Sequence, residues 1–347
     1  MVDKEKNQKT STLSVNSSLK KISLKESLEN IQEKIEKDGK YEEDNIEVVK
    51  SEIANTSISM PLELSSAIHF FGVISKEKSS YSGILNENLE RNLFGIEKFS
   101  NGDLYCGHFI KDIKCGRGIY LLNPETSKKT VKYELYSGDF NGNLMSGLGT
   151  YTVIEEAAKN STIDEANISS YIGSFENNKM KRGIYLEKKQ DKFCAYYGNF
   201  NQDNQKHDSK ALLYDNENDQ VLRARFENGE IIKGFLLTFK DDEKKEVFYI
   251  SYEKGKVKAV TTENFIEKQT VEKIVKEGKE FRNILFAQEC FEKAYDNAKK
   301  ITTEKQKLES ITLKDFNTEK GFADVQEVFN MNTEQGAFKE MYKNLGC

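Results

Sequence analysis

The chain repeats one short pattern: a Tyr-x-Gly-x-Phe segment, a polar turn, and a segment that closes with glycine and an aromatic residue. The clearest copies span residues 105–120, 136–151 and 171–185. Because tyrosine, glycine and phenylalanine alternate, all three point to the same face of a β-strand. Repetition at this length predicts stacked supersecondary units, and such arrays favour a binding or scaffolding surface over an enzyme.

Seven units start at residues 81, 105, 136, 171, 196, 222 and 248, spaced 24 to 35 residues apart, and the last three are degenerate. An isolated hairpin is only marginally stable in water, so its aromatic face must be covered by the next hairpin. We therefore predict a mainly β fold, an elongated array of stacked antiparallel β-hairpins over residues 81–260. The repeat spine, predicted to be structural, comprises Tyr81, Gly83, Tyr105, Gly107, Phe109, Tyr136, Gly138, Phe140, Tyr171, Gly173, Phe175, Tyr196, Gly198 and Phe200.

Three details of the array follow from the residue types. Each spine glycine should leave room for a ring from the neighbouring unit to pack across the backbone. The dipeptide Asn101-Gly102 predicts a two-residue type I′ hairpin turn. The polar stretches 123–133 and 155–168 are interpreted as insertions in loops, which leave the period intact.

The flanks differ from the array in composition. Residues 1–60 are polar and predict a largely disordered arm with one amphipathic helix, whose apolar stripe is Leu24, Leu28, Ile31 and Ile35. This helix could dock on the array or on a partner, or form a two-chain coiled coil. Residues 61–80 form an apolar entry segment. Residues 261–347 predict a helical tail with stripes at 281–298, 322–329 and 338–345, which either caps the array or binds a partner.

The repeats resemble MORN repeats (membrane occupation and recognition nexus), whose pattern is close to Tyr-x-Gly-x-Phe-x-Asn-Gly-x-x-x-Gly-x-Gly. The resemblance covers about half of the chain, and it weakens where turn or closing glycines are missing. It implies a grooved platform of β-hairpins that acts as a scaffold, similar to components of ciliary radial spokes, of other axonemal complexes and of the cytoskeleton. Partners would bind through the repeat groove and the C-terminal helices.

The sequence shows no arrangement typical of catalysis. The three histidines, His69, His108 and His207, have no nucleophile or metal-ligand partner at a suitable spacing. The five cysteines are scattered and predict neither a zinc site nor a disulfide framework. The net charge of −5 does not favour nucleic acid as a partner. We expect no enzymatic activity, no cofactor, no metal site, and a cytoplasmic location.

The alternative function is that of a peripheral membrane adaptor that binds phosphoinositide headgroups. The candidate residues are Lys111, Lys114, Arg117, Lys179, Lys181 and Arg182. Residues 81–260 contain 26 basic and 27 acidic residues, so the array carries a net charge of −1. Since electrostatic membrane attachment requires a contiguous basic cluster, membrane contact should be weak and protein scaffolding is favoured. A regulatory subunit of an enzyme is a third possibility, and it differs only in the identity of the partner.

Overall fold

The computed structural model describes residues 45–49, 69–127, 130–157, 166–189, 192–239, 245–253, 256–285 and 296. All of them belong to the unit of the chain that spans residues 43–347. The strands are β1 (Asn45–Val49), β2 (His69–Ser75), β3 (Ser79–Asn86), β4 (Arg91–Phe99), β5 (Leu104–Ile110), β6 (Ile113–Leu121), β7 (Glu125–Thr126), β8 (Thr130–Asn141), β9 (Leu144–Ala157), β10 (Asn167–Glu176), β11 (Lys179–Lys189), β12 (Lys192–Asn199), β13 (Asp208–Asp215), β14 (Gln220–Glu227), β15 (Glu230–Phe239), β16 (Lys245–Glu253) and β17 (Lys256–Thr262).

These strands form one long antiparallel sheet in which successive strands along the chain are neighbours. The short strand β7 is a side branch that pairs with β8, while β6 pairs directly with β8. The predicted array of stacked antiparallel hairpins is therefore confirmed. The registers place the glycines of neighbouring strands opposite one another, as in the pairs Gly95–Gly107 and Gly149–Gly173.

Four hairpins close with two-residue type I′ turns, in which both central residues have a positive φ. These turns are Lys111–Asp112, Gly142–Asn143, Asn177–Asn178 and Asn228–Gly229. The type I′ prediction for Asn101-Gly102 is wrong, because only Gly102 has a positive φ, of 87°. The Gly102 N–H donates to the Phe99 carbonyl at 2.9 Å, so this connection is a hydrogen-bonded turn followed by a left-handed glycine.

Alternation along each strand divides the sheet into two faces. We call the face that carries the repeat spine the aromatic face. We call the opposite face, which carries the residues between the spine positions, the aliphatic face. Its members include Ile119, Leu121, Ile184 and Leu186, each between 0% and 4% exposed. Burial of such side chains stabilises the sheet by roughly 1.5–3 kcal/mol each.

The sheet departs from the predicted boundaries in three places. Strands β1 and β2 precede residue 81, and β2 joins the array through the pair Gly72–Gly83. The insertion at 123–133 contains β7 and the first residues of β8, and the insertion at 155–168 contributes residues to β9 and β10. The strands β1, β2 and β7 and the extensions of β8 to β10 were missed because those segments lack the Tyr-x-Gly-x-Phe pattern. The predicted N-terminal helix and the two later tail stripes lie outside the described residues.

The described part of the tail contains one α-helix, α1 (Lys268–Leu285), which follows a short 3-10 turn at Glu263–Phe265. The predicted helical stripe began only at Phe281, thirteen residues after the first residue of α1. The first turns of α1 carry a helical signal that sequence reasoning missed, because Val271, Ile274 and Val275 stand at i, i+3 and i+4 and pack with Phe281 against the core.

Candidate interaction surface

A continuous stack of aromatic rings runs across the aromatic face. We call it the aromatic ladder. Phe109, Phe140, Phe175 and Phe200 each lie between the tyrosine of their own unit and that of the preceding unit, and Phe226 contacts Tyr196 of the preceding unit. The centroid distances are 5.0–5.3 Å, and the ring planes are inclined by 75–88°. In order, the rings are Tyr81, Phe109, Tyr105, Phe140, Tyr136, Phe175, Tyr171, Phe200, Tyr196 and Phe226. Such edge-to-face pairs contribute about 0.5–1.5 kcal/mol each beyond area burial, so the ladder joins the units energetically.

The ladder tyrosines share one hydrogen bond. Each hydroxyl donates to the carbonyl of the residue three positions later, and for the first four tyrosines this residue lies at the bulge that follows the spine glycine. The acceptors are the carbonyls of Ile84, His108, Asp139, Ser174 and Asn199, at 2.8–3.0 Å. Burial raises the pKa of Tyr81, Tyr105, Tyr136 and Tyr196 above the usual range, so these hydroxyls stay protonated as donors. The bond therefore satisfies both a buried hydroxyl and a backbone carbonyl.

The glycines of neighbouring strands form a row beneath these rings, which we call the glycine row. A Cβ added at Gly149 would lie 2.5–2.7 Å from the ring and hydroxyl of Tyr136, and one added at Gly118 would lie 2.6–2.8 Å from Tyr105. The interpretation that each glycine receives a ring from the neighbouring unit is therefore wrong, because the ring belongs to the tyrosine of the same unit. The phenylalanines make the contact between units instead. These glycines lie under rings and do not line an open groove.

Long side chains from the second strand of each hairpin lie opposite the ladder phenylalanines. Lys114 and Met145 pair with Phe109 and Phe140 in this way. The Lys114 ammonium lies 4.5 Å from the Phe99 ring centroid, 4.8 Å from that of Tyr105 and 3.1 Å from Glu97. Burial lowers the pKa of Lys114, and Glu97 partly opposes that shift. Lys114 thus acts as a cover for the aromatic ladder, through cation–π contacts and an ion pair.

The six basic residues of the lipid hypothesis do not lie together. Lys114 is on the aromatic face, with a side chain only 12% exposed. Arg117 and Arg182 are on the aliphatic face, because each immediately precedes a glycine of the glycine row. Lys111 lies in a hairpin turn, and Lys179 is the first residue after another turn. Lys181 pairs with Glu176 at 2.5 Å.

The helix α1 covers one end of the aliphatic face, where it contacts β13 to β16. A Cβ added at Gly278 would lie 2.6 Å from Leu237, so the helix backbone approaches the sheet closely at this glycine. Phe281 is 1% exposed, and its ring centroid lies 6.4 Å from that of Tyr197 on β12. The hypothesis that the tail caps the open end of the array does not hold for α1, which covers a face and leaves the side chains of β17 largely exposed.

Two ion pairs fasten α1 to the sheet. Arg282 donates two hydrogen bonds to the carboxylate of Asp219, at 2.8 and 2.7 Å, and its guanidinium lies 4.6 Å from the Phe239 ring centroid. Glu277 accepts from Arg223 at 2.6 Å. Planar bidentate pairs of the Arg282 type fix orientation as well as adding energy. The position of α1 on the sheet is therefore set by both apolar and charged contacts.

Sequence reasoning missed a row of turn residues that link successive hairpins. The second residue of a hairpin turn has a positive φ, and its side-chain oxygen accepts from a backbone N–H of the preceding unit. Asp112 accepts from Arg91, Asn143 from Lys114 and Asn178 from Met145, at 2.7–2.9 Å. Asn204, in the longer connection between β12 and β13, also has a positive φ and accepts from the Met180 N–H at 2.9 Å. The available signal was an Asp or Asn at equivalent positions of successive units, since these residues tolerate the left-handed region.

The two histidine side chains that the structure describes contact backbone groups of the sheet. His108 Nδ1 lies 3.0 Å from the Arg117 carbonyl, and the His207 ring accepts from the Asn228 N–H at 3.4 Å; the side chain of His69 is outside the described set. No group of three or more His, Cys, Asp or Glu in the described ranges could hold a metal ion. Across those ranges, no helix has the length and apolar character needed to cross a bilayer.

Comparison with known proteins supports the repeat assignment. The family model for the MORN repeat matches residues 105–123 and 136–152, which lie in the second and third units of the array. This match supports a MORN-repeat protein, and MORN repeats are generally modules for protein or membrane interaction. A search of curated proteins finds no significant match to the sequence.

Proposed function

We propose that this protein is a non-catalytic scaffold that mediates protein–protein interactions within a larger cytoskeletal or axonemal assembly. The aromatic ladder is the observation that carries the proposal. Its rings join six successive units through direct contacts, so the hairpins form one platform instead of separate modules. A platform with two extended faces can hold several partners at fixed separations. The cytoplasmic and ciliary setting rests on the resemblance to MORN scaffolds.

The competing function is a peripheral membrane adaptor. The position of the six candidate basic residues weighs against it, because they are divided between the two faces and the hairpin turns. Lys114 is paired with Glu97, Arg117 with Asp139 and Lys181 with Glu176, so three of the six already have acidic partners. Attraction to anionic lipid amounts to about 1 kcal/mol per basic residue near the surface, and it requires that several act on one plane.

Recovery of partners from cells tests the proposal. The tagged chain and a variant with Lys111, Arg117, Lys179 and Lys181 changed to glutamine would be purified in parallel, and the bound proteins would be identified by mass spectrometry. Both would also be tested for flotation with phosphoinositide vesicles. A scaffold yields the same reproducible partner set from both proteins. Vesicle binding by the wild type that is lost in the variant, with no partner set, would contradict the proposal and support the adaptor.

A further inference from the structure

A row of basic side chains crosses the aliphatic face beside the glycine row, on the side of the hairpin turns. Its members are the residues next to the spine glycine position on four strands: Arg182 on β11, Lys210 on β13, Arg225 on β14 and Lys233 on β15. We call these four residues the basic row. All four are exposed. At the same positions on earlier strands the chain has Phe94, His108, Arg117, Asp139, Leu148 and Ser174, so basic residues are concentrated on β11 to β15, where only β12 has a neutral residue, Asn199.

The arrangement places like charges opposite one another. Arg225 faces Lys233 directly, and Lys210 lies beside Arg225, because the adjacent residues Ala211 and Ala224 are paired. Like charges directly opposite on neighbouring strands destabilise a sheet. Arg225 pairs with Glu227, and Arg182 donates to the Tyr197 hydroxyl at 3.0 Å. Within the described ranges, neither Lys210 nor Lys233 has an acidic partner. An anionic partner would relieve this repulsion.

The surroundings of the basic row fit a helix. Strands are about 4.8 Å apart, so the row extends over roughly 19 Å from β11 to β15. An α-helix rises 1.5 Å per residue, so about 13 residues would cover that length. The helix α1 crosses β13 to β15, and at Gly278 it approaches Val221 and Leu237, which lie four residues from Arg225 and Lys233, or roughly 13 Å along the strands. This separation exceeds the roughly 8–10 Å between the axes of packed helices. A second helix can therefore lie over the row with α1 at its side.

The same geometry disfavours a membrane as the occupant. The helix α1 lies on the same face as the basic row, and a helix is roughly 10 Å in diameter. A flat bilayer would touch the outer surface of α1 before it reached the side chains at the level of the sheet. A rod-shaped anionic partner has no such obstruction.

We propose that the basic row, together with the flank of α1, is a docking site for an acidic α-helix of a partner protein. The partner helix would carry aspartate or glutamate along one side, at spacings near i, i+7 and i+11, to face charges separated by two or three strands. This inference rests on the proposed scaffold function, and it names one surface and one class of partner for it.

A designed peptide provides the test. The probe is a fluorescein-labelled helical peptide of about 20 residues, with glutamates on one side, and its control has the same composition with the glutamates distributed around the helix. Fluorescence anisotropy would measure binding to the full chain at low and at physiological salt. The row variant is Lys210→Glu/Arg225→Glu/Lys233→Glu. The matched control, Lys111→Glu/Lys256→Glu/Lys268→Glu, makes the same change in net charge at exposed lysines elsewhere.

We expect the one-sided peptide to bind the wild type and the control variant alike, and the row variant at least about tenfold more weakly, since three exposed pairs are lost and replaced by repulsion. Binding should weaken as salt rises. The inference would be overturned if the two peptides bound equally well, or if both variants lost affinity equally. It would also be overturned if phosphoinositide vesicles, but not the peptide, bound through the basic row. Recovery of partners from cells distinguishes failure of this docking site from failure of the scaffold function. If the row variant still recovers the full partner set, the scaffold function stands and this docking site is refuted.

Discussion

The packing of Tyr136 over Gly149 predicts that a methyl group added at residue 149 destabilises the protein only when the tyrosine ring is present. In Gly149→Ala, the added Cβ would lie 2.5–2.7 Å from the Tyr136 side chain, whereas ordinary contacts are about 3.5–4.0 Å. The ring would have to retreat by about 1 Å. It is held by Phe140 and Phe175, each at 5.1 Å, and by its hydrogen bond to the Asp139 carbonyl at 2.8 Å.

The magnitude follows from the contacts that the retreat disturbs. Loss of the hydrogen bond costs about 1 kcal/mol, and overpacking costs about 1–3 kcal/mol. Alanine returns about 0.4–1 kcal/mol by restricting the unfolded chain. We therefore expect Gly149→Ala to lower the free energy of unfolding by about 1–3.5 kcal/mol.

A double-mutant cycle measures the effect. In the Tyr136→Leu background the ring is absent, so Gly149→Ala should change stability by less than about 0.5 kcal/mol. Urea denaturation would be followed by circular dichroism and by tyrosine emission, which is usable because the sequence contains no tryptophan. Hydrogen exchange of amides in β8–β10 would provide the local value, since arrays can open unit by unit. An equal cost of Gly149→Ala in both backgrounds would refute the packing argument.

Three further predictions concern the ladder and its connections. Tyr171→Phe removes a buried hydrogen-bond donor, so it should lower the free energy of unfolding measured in urea by about 1 kcal/mol. The control Tyr185→Phe, at a half-buried site, should lower it by less than about 0.5 kcal/mol. Equal losses would contradict the role of the Tyr171 hydroxyl. Asn178→Ala should lower the free energy of unfolding by about 1–2 kcal/mol and speed hydrogen exchange at the β10–β11 turn. The reason is that the variant loses a hydrogen bond to Met145 and places alanine at a position with a positive φ, which asparagine tolerates better. Unchanged exchange would contradict the role of the Asn178 side chain. The raised pKa values of Tyr105 and Tyr136 contribute stability that is complete below pH about 10 and is lost as pH rises toward the folded-state pKa. Tyrosinate absorbance from these residues should therefore appear only with unfolding, and earlier titration would disprove their burial.

The sequence predicts the array well where the pattern is complete. Tyrosine, glycine and phenylalanine at fixed spacing require one strand face and one turn, so the hairpins and their order follow from local information. The strands β1 and β2 were missed because their role depends on pairing with β3, which no local pattern reports. The turn at Asn101-Gly102 was predicted wrongly because Asn-Gly occurs in more than one turn type, and the flanking hydrogen bonds choose between them.

The candidate surface was less predictable than the fold. Lys114 and Arg182 look alike in the sequence, yet one covers aromatic rings and the other is exposed on the opposite face. The difference arises from register and from the bulges that follow the spine glycines. The basic row is dispersed over 52 positions of the sequence, from 182 to 233, and only the pairing of β11 to β15 brings it together.

Detergent extraction of cells that express the tagged protein tests the scaffold function most directly. The protein would be quantified in the soluble, detergent-released and detergent-resistant fractions, alongside a membrane marker and a cytoskeletal marker. The account predicts that the protein stays with the detergent-resistant cytoskeletal or axonemal fraction. Release of the protein together with the membrane marker would contradict it.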